Sequence, residues 1–219
     1  MSTNVRIDIR MAAIILLKND IACDWSKSAD EEGKEYIRSV IMDAIVSAPK
    51  PIMKFLRIIL KAICYQDYPE RFPNLIPQIL QYFSRSDLAS IIGAAMGIFI
   101  LVDVSLLFER IRKVPLKQFF QSINERMLFL CETAINSKPL TAEHGEVLRR
   151  LLRNVFLIVR STTLFESFYK SEYFQRWMVV LFSVYALELP SGTIVCRNFC
   201  FSYSYFSPGY AISFSQPTN

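Results

Sequence analysis

Few side chains in this sequence could act as nucleophiles, bases or metal ligands. The 219 residues include a single histidine, His144, and five cysteines, at positions 23, 64, 131, 196 and 200. Successive spacings of 41, 67 and 65 residues between the first four cysteines fit neither a zinc site nor a disulfide framework. We therefore expect the cysteines to serve as small apolar side chains in a reducing compartment.

The carboxylates and the histidine do not form a pattern typical of catalysis either. His144 stands beside Glu143 at the polar start of a helical pattern, where we expect a solvated surface residue. The acidic run 30–32 precedes another helical pattern and suits a helix N-terminus better than acid–base chemistry. The sequence has no glycine-rich phosphate loop, no Gly-x-Ser-x-Gly and no His-Glu-x-x-His. It predicts no catalytic, metal or cofactor-binding site, no cofactor and no enzyme activity.

The composition favours a helical protein with a large core. Hydrophobic residues make up 52% of the chain, charged residues make up 21%, and there are only six glycines. The formal net charge of +5 is mild and scattered, and no basic run is interleaved with aromatic residues. This pattern argues against direct binding of nucleic acid.

Apolar residues recur at helical spacing along most of the chain, and no strand is expected before residue 190. The predicted helices cover 4–25, 35–48, 52–65, 75–83, 88–112, 115–136, 142–161 and 173–187, with a linker or short helix at 163–169. From the second helix onward they pair, and the pairs recur at roughly 40 residues, as in HEAT and armadillo repeats. The predicted fold is therefore all-α, an α-α superhelix of stacked antiparallel helix pairs.

The segment 65–77 separates two long helical patterns and holds three prolines within nine residues. Proline ends the incoming helix and starts the outgoing one. We expect Asp67 to cap the new turn, with Glu70 completing a capping box. A turn over 68–72 and a helix from about Pro73 would then join two repeats. The residues assigned to this structural turn are Asp67, Tyr68, Pro69, Phe72 and Pro73.

Two further segments leave alternatives open. Residues 91–108 carry a single charge, Asp103, and contain Gly93-x-x-x-Gly97, so they fit either a membrane span or a helix buried at the centre of a solenoid. From residue 198 onward no residue is charged, and aromatic residues alternate with serines. We expect a solenoid over 1–188 and a disordered tail over 189–219, which is either an interaction segment or a coding end with no evolved role.

Three segments carry a likeness to a known family. They are Ile9–Asn19 followed by Trp25, Ile37-Arg38 through Ile45, and Asp67–Pro73. In this order and spacing they resemble the N-terminal repeats of the importin-β (karyopherin) superfamily, and most of all its importin seven/eight branch. The resemblance covers about residues 5–188.

The resemblance implies a nuclear import receptor found in the cytoplasm, in the nucleus and at the nuclear pore. In that family the inner, second helices of the first repeats contact the Ran GTPase in its GTP form; here these are 4–25, 52–65 and 88–112. Outer helices dock Phe-Gly nucleoporins, and later repeats embrace protein cargo. Arg10, Lys18 and Asn19 match the family's first motif and are the candidate Ran contacts. Lys18 could equally pack its stem and cap nearby carbonyls.

The sequence also departs from the family pattern. Phe72 stands where the family usually has tryptophan, and helix 4–25 has no partner helix, so we expect an exposed apolar face on it. The repeats that would embrace cargo are missing, which predicts a partial receptor. The alternatives are a HEAT scaffold of a non-transport complex and a membrane protein that spans through residues 91–108.

Overall fold

The computed structural model of the protein describes residues 5–107, 116–160 and 172–187. Within these ranges it contains eight α-helices and no strand. The helices are α1 (Ile7–Ser28), α2 (Glu31–Ser47), α3 (Lys50–Asp67), α4 (Leu75–Phe83), α5 (Leu88–Leu107), α6 (Leu116–Asn136), α7 (Ala142–Arg160) and α8 (Tyr173–Ala186).

Short polar side chains fix several helix starts. The Asp30 carboxylate accepts a hydrogen bond of 2.8 Å from Gly33 N at the start of α2, and the Asp87 carboxylate accepts one of 2.8 Å from Ser90 N at the start of α5. At the start of α7, His144 N donates to Thr141 Oγ1 while Thr141 N donates to His144 Nδ1. The pair forms a reciprocal cap, so His144 serves helix initiation.

The helices form two layers of antiparallel pairs. One layer contains α1, α3, α5 and α7, each packed on the next, and we call it the odd layer. Helices α2, α4, α6 and α8 form the even layer, in which α6 contacts α8. The pairs α2 with α3, α4 with α5 and α6 with α7 join the layers, and together they confirm the predicted solenoid of stacked helix pairs.

The predicted helices match the observed ones, with ends that differ by a few residues. The largest shift is at the start of α2, which begins at Glu31 instead of residue 35 because Asp30 caps it. The turn after α3 occupies residues 68–74, and α4 begins at Leu75, as its apolar pattern predicted and two residues after the start that the prolines suggested. Residues 108–115, the 161–171 linker and the tail from 188 onward lie outside the described residues.

Helix α5 is the most enclosed helix of the described chain, and this burial explains its apolar sequence. It contacts α2, α3, α4 and α7. The 18-residue window Leu88–Ser105 is long and apolar enough to cross a membrane, but 78% of it is buried within the protein. A Cβ at Gly93 would lie 2.6 Å from Val46 Cγ2, and one at Gly97 would lie 2.8 Å from Ile79 Cγ1. Close packing of α2 and α4 therefore accounts for both glycines and for the hydropathy of the helix.

Candidate functional site

The three segments that carry the family resemblance meet at one buried carboxylate. Asp67, the last residue of α3, accepts a hydrogen bond from Trp25 Nε1 of α1 at 2.7 Å. The same oxygen, Oδ2, accepts a second one of 2.7 Å from Arg38 Nη1 of α2. We call Trp25, Arg38 and Asp67 the junction cluster, because it ties the first three helices together.

The junction cluster is almost free of solvent. The side chains of Arg38 and Asp67 are 6% and 1% exposed, and Trp25 is 1% exposed. Burial alone would lower the pKa of Arg38, but hydrogen bonds to Asp67 and to the solvent-facing Glu35 outweigh it and raise the pKa. A buried charge pair of this kind fixes geometry, and removing either partner leaves an uncompensated charge in the core.

A kink in α1 presents Trp25 to this cluster. Asp24 leaves helical geometry with φ −159° and ψ 89°. Its carboxylate then accepts a hydrogen bond of 3.1 Å from Ser26 N, as an N-cap residue does. The helix thus restarts at Trp25, the residue whose indole reaches α3.

The structure corrects the predicted role of the Asp67 side chain. We expected it to cap the turn that follows, yet one carboxylate oxygen bonds to Trp25 and Arg38 and the other has no hydrogen-bond partner. The turn is closed instead by the Asp67 backbone carbonyl, which accepts from Arg71 N at 2.7 Å and from Phe72 N at 3.2 Å. The capping prediction was wrong because the helix runs through Asp67, which turns its side chain into the core.

The other turn residues divide between core and surface. Tyr68 and Phe72 are each 2% exposed, and burial raises the pKa of the Tyr68 hydroxyl. Pro73 is exposed and Pro69 is half-buried, with a cis bond between Tyr68 and Pro69. The segment therefore anchors the end of α3 through two aromatic side chains. Phe72, which replaces the family's usual tryptophan, fills a buried position.

The structure does not bring the three candidate Ran contacts together. Arg10 and Asn19 are exposed and Lys18 is half-buried, all on α1 before its kink. Arg10 and Asn19 are nine residues apart, and at about 100° per residue they lie on opposite sides of the helix. Lys18 forms no hydrogen bond or ion pair with any described residue. A single flat partner could therefore contact two of the three side chains at most.

Helix α1 exposes an apolar face on the side away from α3. Leu16 is 69% exposed and Ile9 is 56% exposed. These positions share one face at helical spacing, with Ala12 and Ala13 between them. Helix α1 packs on α3, and the apolar face that was expected to be exposed on this helix is present on its remaining surface.

Neither the cysteines nor the carboxylates gather into a reactive site in the part of the chain that the structure describes. Cys64 and Cys131 are free and buried, and burial raises the pKa of both thiols. Cys23 is free and exposed, whereas Cys196 and Cys200 lie outside the described residues. No group of three or more His, Cys, Asp or Glu side chains in the described ranges could hold a metal ion.

Comparison with known proteins supports the family interpretation. A family model described as the importin-beta N-terminal domain matches residues 1–47. The chain is 28% identical over 120 residues to a probable importin-7 homolog of Dictyostelium discoideum, which covers 52% of this chain and 11% of that protein. It is 20% identical over 205 residues to importin-8 of Homo sapiens, a match that covers 88% of this chain and 20% of that protein. It is 28% identical over 110 residues to exportin-2 of Pagrus major, a match that covers 48% of this chain and 11% of that protein. No solved structure matches the chain significantly.

The stacked helix pairs define an all-α helical-repeat fold, and the relatives that the chain resembles are importins and an exportin. The chain is similar in sequence to members of the importin-β (karyopherin) superfamily. It spans about a fifth or less of the length of these curated relatives. Since both importins and exportin-2 match, the comparisons support the superfamily, and the importin seven/eight branch stays a prediction.

Proposed function

We propose that this protein acts in nucleocytoplasmic transport as part of an importin-like receptor that binds the Ran GTPase in its GTP form. The observation that carries the proposal is the junction cluster. The three segments that resemble the family meet there in one buried hydrogen-bonded group, so they specify how α1, α2 and α3 stack. Residues 1–47, which the importin model matches, supply Trp25 and Arg38.

The odd layer supports this proposal because it presents one continuous surface. By resemblance, the inner helices that contact Ran are α1, α3 and α5, and these are consecutive neighbours in the odd layer. A GTPase bound there would contact several repeats at once. Its affinity would then depend on their relative positions, which is how a solenoid can couple two ligands.

The even layer has the exposed apolar side chains that docking of Phe-Gly nucleoporins would require. Phe129 of α6 is 53% exposed, and Val179 of α8 is 66% exposed. Helices α6 and α8 are neighbours, joined by ion pairs from Arg176 to Glu132 at 3.0 Å and to Glu125 at 3.4 Å. We propose that these exposed side chains contact the nucleoporins. Such contacts would allow the protein to pass between the cytoplasm and the nucleus. Binding of protein cargo is expected to be reduced or absent in this short chain.

A pull-down with purified Ran, loaded with either a non-hydrolysable GTP analogue or GDP, tests the proposal. We expect the chain to retain the GTP form and not the GDP form. The variants Arg10→Ala, Lys18→Ala and Asn19→Ala should identify the side of α1 that faces the GTPase, with Lys27→Ala on the same helix as a control. Equal retention of both forms, or of neither, would overturn the GTPase proposal.

If the GTPase proposal is overturned, the alternative function is that of a scaffold in a non-transport complex. Copurification of the chain with a stable complex free of Ran and nucleoporins would favour that function. The same stacked helix pairs would serve either role, since a solenoid supplies a binding surface without fixing the partner.

A further inference from the structure

The exposed side of the odd layer carries a cluster of cations in addition to the candidate Ran contacts on α1. On α3, four basic residues recur at intervals of four, three and four, so they share one face within about 60°. On α7, three arginines lie within about 100° of one another around the helix. We call these seven residues the basic strip: Lys50, Lys54, Arg57, Lys61, Arg149, Arg150 and Arg153.

Helix α5 joins the two halves of the strip. Lys61 pairs with Asp103 of α5 at 2.7 Å, and the Arg153 guanidinium lies 4.2 Å from the centre of the Phe99 ring, also on α5. Short connections make sequential helices antiparallel, so α3 and α5 run in the same direction. One turn before the Lys61–Asp103 contact, Arg57 is therefore level with Phe99 and close to Arg153.

The electrostatics of Arg153 agree with this placement. Burial, followed by the positive charges of Arg57, Arg149 and Arg150, lowers the pKa of Arg153, and the opposing effect of the Asp103 carboxylate is smaller. These cations thus lie close enough to repel one another. A surface that gathers like charges without neutralising them can attract an anionic partner.

Only part of the charge of the strip is neutralised within the described chain. Asp103 pairs with Lys61, and Glu146 pairs with Arg149 and Arg150 at 2.7 and 2.8 Å. No described carboxylate pairs with Arg57 or Arg153, both of which are exposed. Two level guanidinium groups that lack a carboxylate ion-pair partner in the described chain therefore stand at the centre of the strip.

The surroundings of these cations favour a protein ligand over a nucleic acid. Asp103 and Glu146 lie within the strip and would repel a continuous phosphate backbone. Ile58, beside Arg57, is 41% exposed and offers an apolar contact. A short peptide can place its carboxylates selectively on Arg57 and Arg153 and an apolar side chain on Ile58.

We propose that the basic strip binds an extended acidic segment of a partner protein. Its four α3 cations extend over about 17 Å, the length of about five extended residues. The bidentate fork of Arg57 and that of Arg153 would each take one carboxylate of the segment. This proposal does not rest on binding of a GTPase, and it involves α7, a helix that the family resemblance does not assign to Ran.

Fluorescence anisotropy with a labelled octaglutamate peptide tests the proposal on the full chain. We expect saturable binding at about 50 mM NaCl that weakens steadily as salt is added. Arg57→Glu should weaken binding by about tenfold or more, whereas Lys138→Glu should change it by less than about twofold. Lys138 is a matched control, since it is exposed, forms no ion pair in the described chain, and its substitution changes the charge equally.

A second variant and a second probe keep the test decisive. Arg153→Gln should also weaken binding of octaglutamate, whereas Arg153→Lys should retain part of it, and circular dichroism should show unchanged helix content for all variants. The proposal is overturned if octaglutamate does not bind, or if Arg57→Glu and Lys138→Glu weaken it equally. Tighter binding of a decathymidine oligonucleotide would overturn it too and point to a nucleic acid.

Discussion

At the scale of single residues, Asp67 shows how one side chain can determine the arrangement of three helices. Its Oδ2 atom accepts from Trp25 of α1 and Arg38 of α2, while its backbone closes the turn towards α4. Each donor is buried and needs an acceptor, because an unpaired polar group in the core costs free energy. Replacing Asp67 therefore affects the stacking of the first repeats and the stability of the chain together.

We expect Asp67→Ala to lower the free energy of unfolding by about 3–5 kcal/mol, because it leaves the Arg38 guanidinium without its buried partner. Urea unfolding followed by circular dichroism would measure the change. Arg71→Ala is the matched control, since Arg71 is 62% exposed and lies 3.9 Å from the same carboxylate. That variant should cost about 0.5 kcal/mol or less. Equal losses for the two variants would contradict a structural role for the junction cluster.

The stability of the folded chain should depend on pH through Glu146. Partial burial alone would raise its pKa, but hydrogen bonds from Arg149 and Arg150 outweigh this and lower the pKa from 4.5 to about 2. The stabilisation is therefore present above pH 4.5 and is lost as the pH falls towards 2. We expect Glu146→Gln to reduce stability at neutral pH and to converge with the unchanged chain at low pH. Urea unfolding at a series of pH values would measure this, and parallel curves would contradict it.

The residues of the junction cluster were present in the sequence pattern, but their contacts were not. Trp25, Arg38 and Asp67 each belong to a segment that carries the family resemblance, yet they stand 13 to 42 residues apart. Local capping rules predicted that the Asp67 side chain accepts a hydrogen bond from the turn that follows it. It accepts from Trp25 and Arg38 instead, because these two buried donors need an acceptor. The signal that could have indicated this contact is the joint presence of the three segments that carry the family resemblance. None of the three segments indicates the contact by itself.

At the scale of elements, α5 shows that a membrane-like sequence can belong to a protein core. Its window Leu88–Ser105 has a mean hydropathy of 2.1. Four neighbouring helices cover it, and α7 adds a hydrogen bond of 2.9 Å from Asn154 Nδ2 to the Ala95 carbonyl. Gly93 and Gly97 allow the backbone of α5 to approach α2 and α4 closely.

The two glycines should respond differently to the same substitution. A Cβ at Gly93 would lie 2.6 Å from Val46 Cγ2 and 3.3 Å from Val46 Cα, so the α2 backbone must move. We expect Gly93→Ala to destabilise by about 1–3 kcal/mol. At Gly97 the new methyl group meets only side-chain atoms, Ile79 Cγ1 at 2.8 Å and Met42 Cε at 3.2 Å, and a gain in helix propensity of about 1 kcal/mol offsets part of the crowding. Thermal unfolding would test the order, and a higher Tm for Gly93→Ala than for Gly97→Ala would contradict it.

The elements themselves could be predicted well from apolar periodicity, whereas their exact ends could not. The prolines suggested that helix α4 starts near Pro73, whereas its apolar pattern indicated Leu75, and the chain stays in a turn until Asn74. Buried Phe72 holds this segment, since its side chain packs in the core before the helix can begin. Local proline rules therefore do not fix a helix end where a tertiary contact holds the preceding segment.

At the scale of the whole molecule, each helix is stabilised by its neighbours in the stack. Helix α1 packs mainly on α3, and α8 mainly on α6, whereas α5 is covered by α2, α3, α4 and α7. In such a solenoid, stability is approximately a sum of local repeat terms and interfaces between neighbours. Among the described helices, those with one main neighbour should therefore open more readily than those at the centre.

Hydrogen exchange measured by mass spectrometry would test this gradient directly. We expect peptides from α5 to exchange most slowly, and peptides from α1 and α8 to exchange fastest among the described helices. Asp67→Ala should accelerate exchange in α1, because it removes the bond that anchors Trp25, and should leave α8 unchanged, since α8 is held to α6 by the 2.7 Å bond from Trp177 Nε1 to Asn124 Oδ1. Equal acceleration in α1 and α8 would show instead that the helices unfold as one cooperative unit, and the local role of the junction cluster would then be lost.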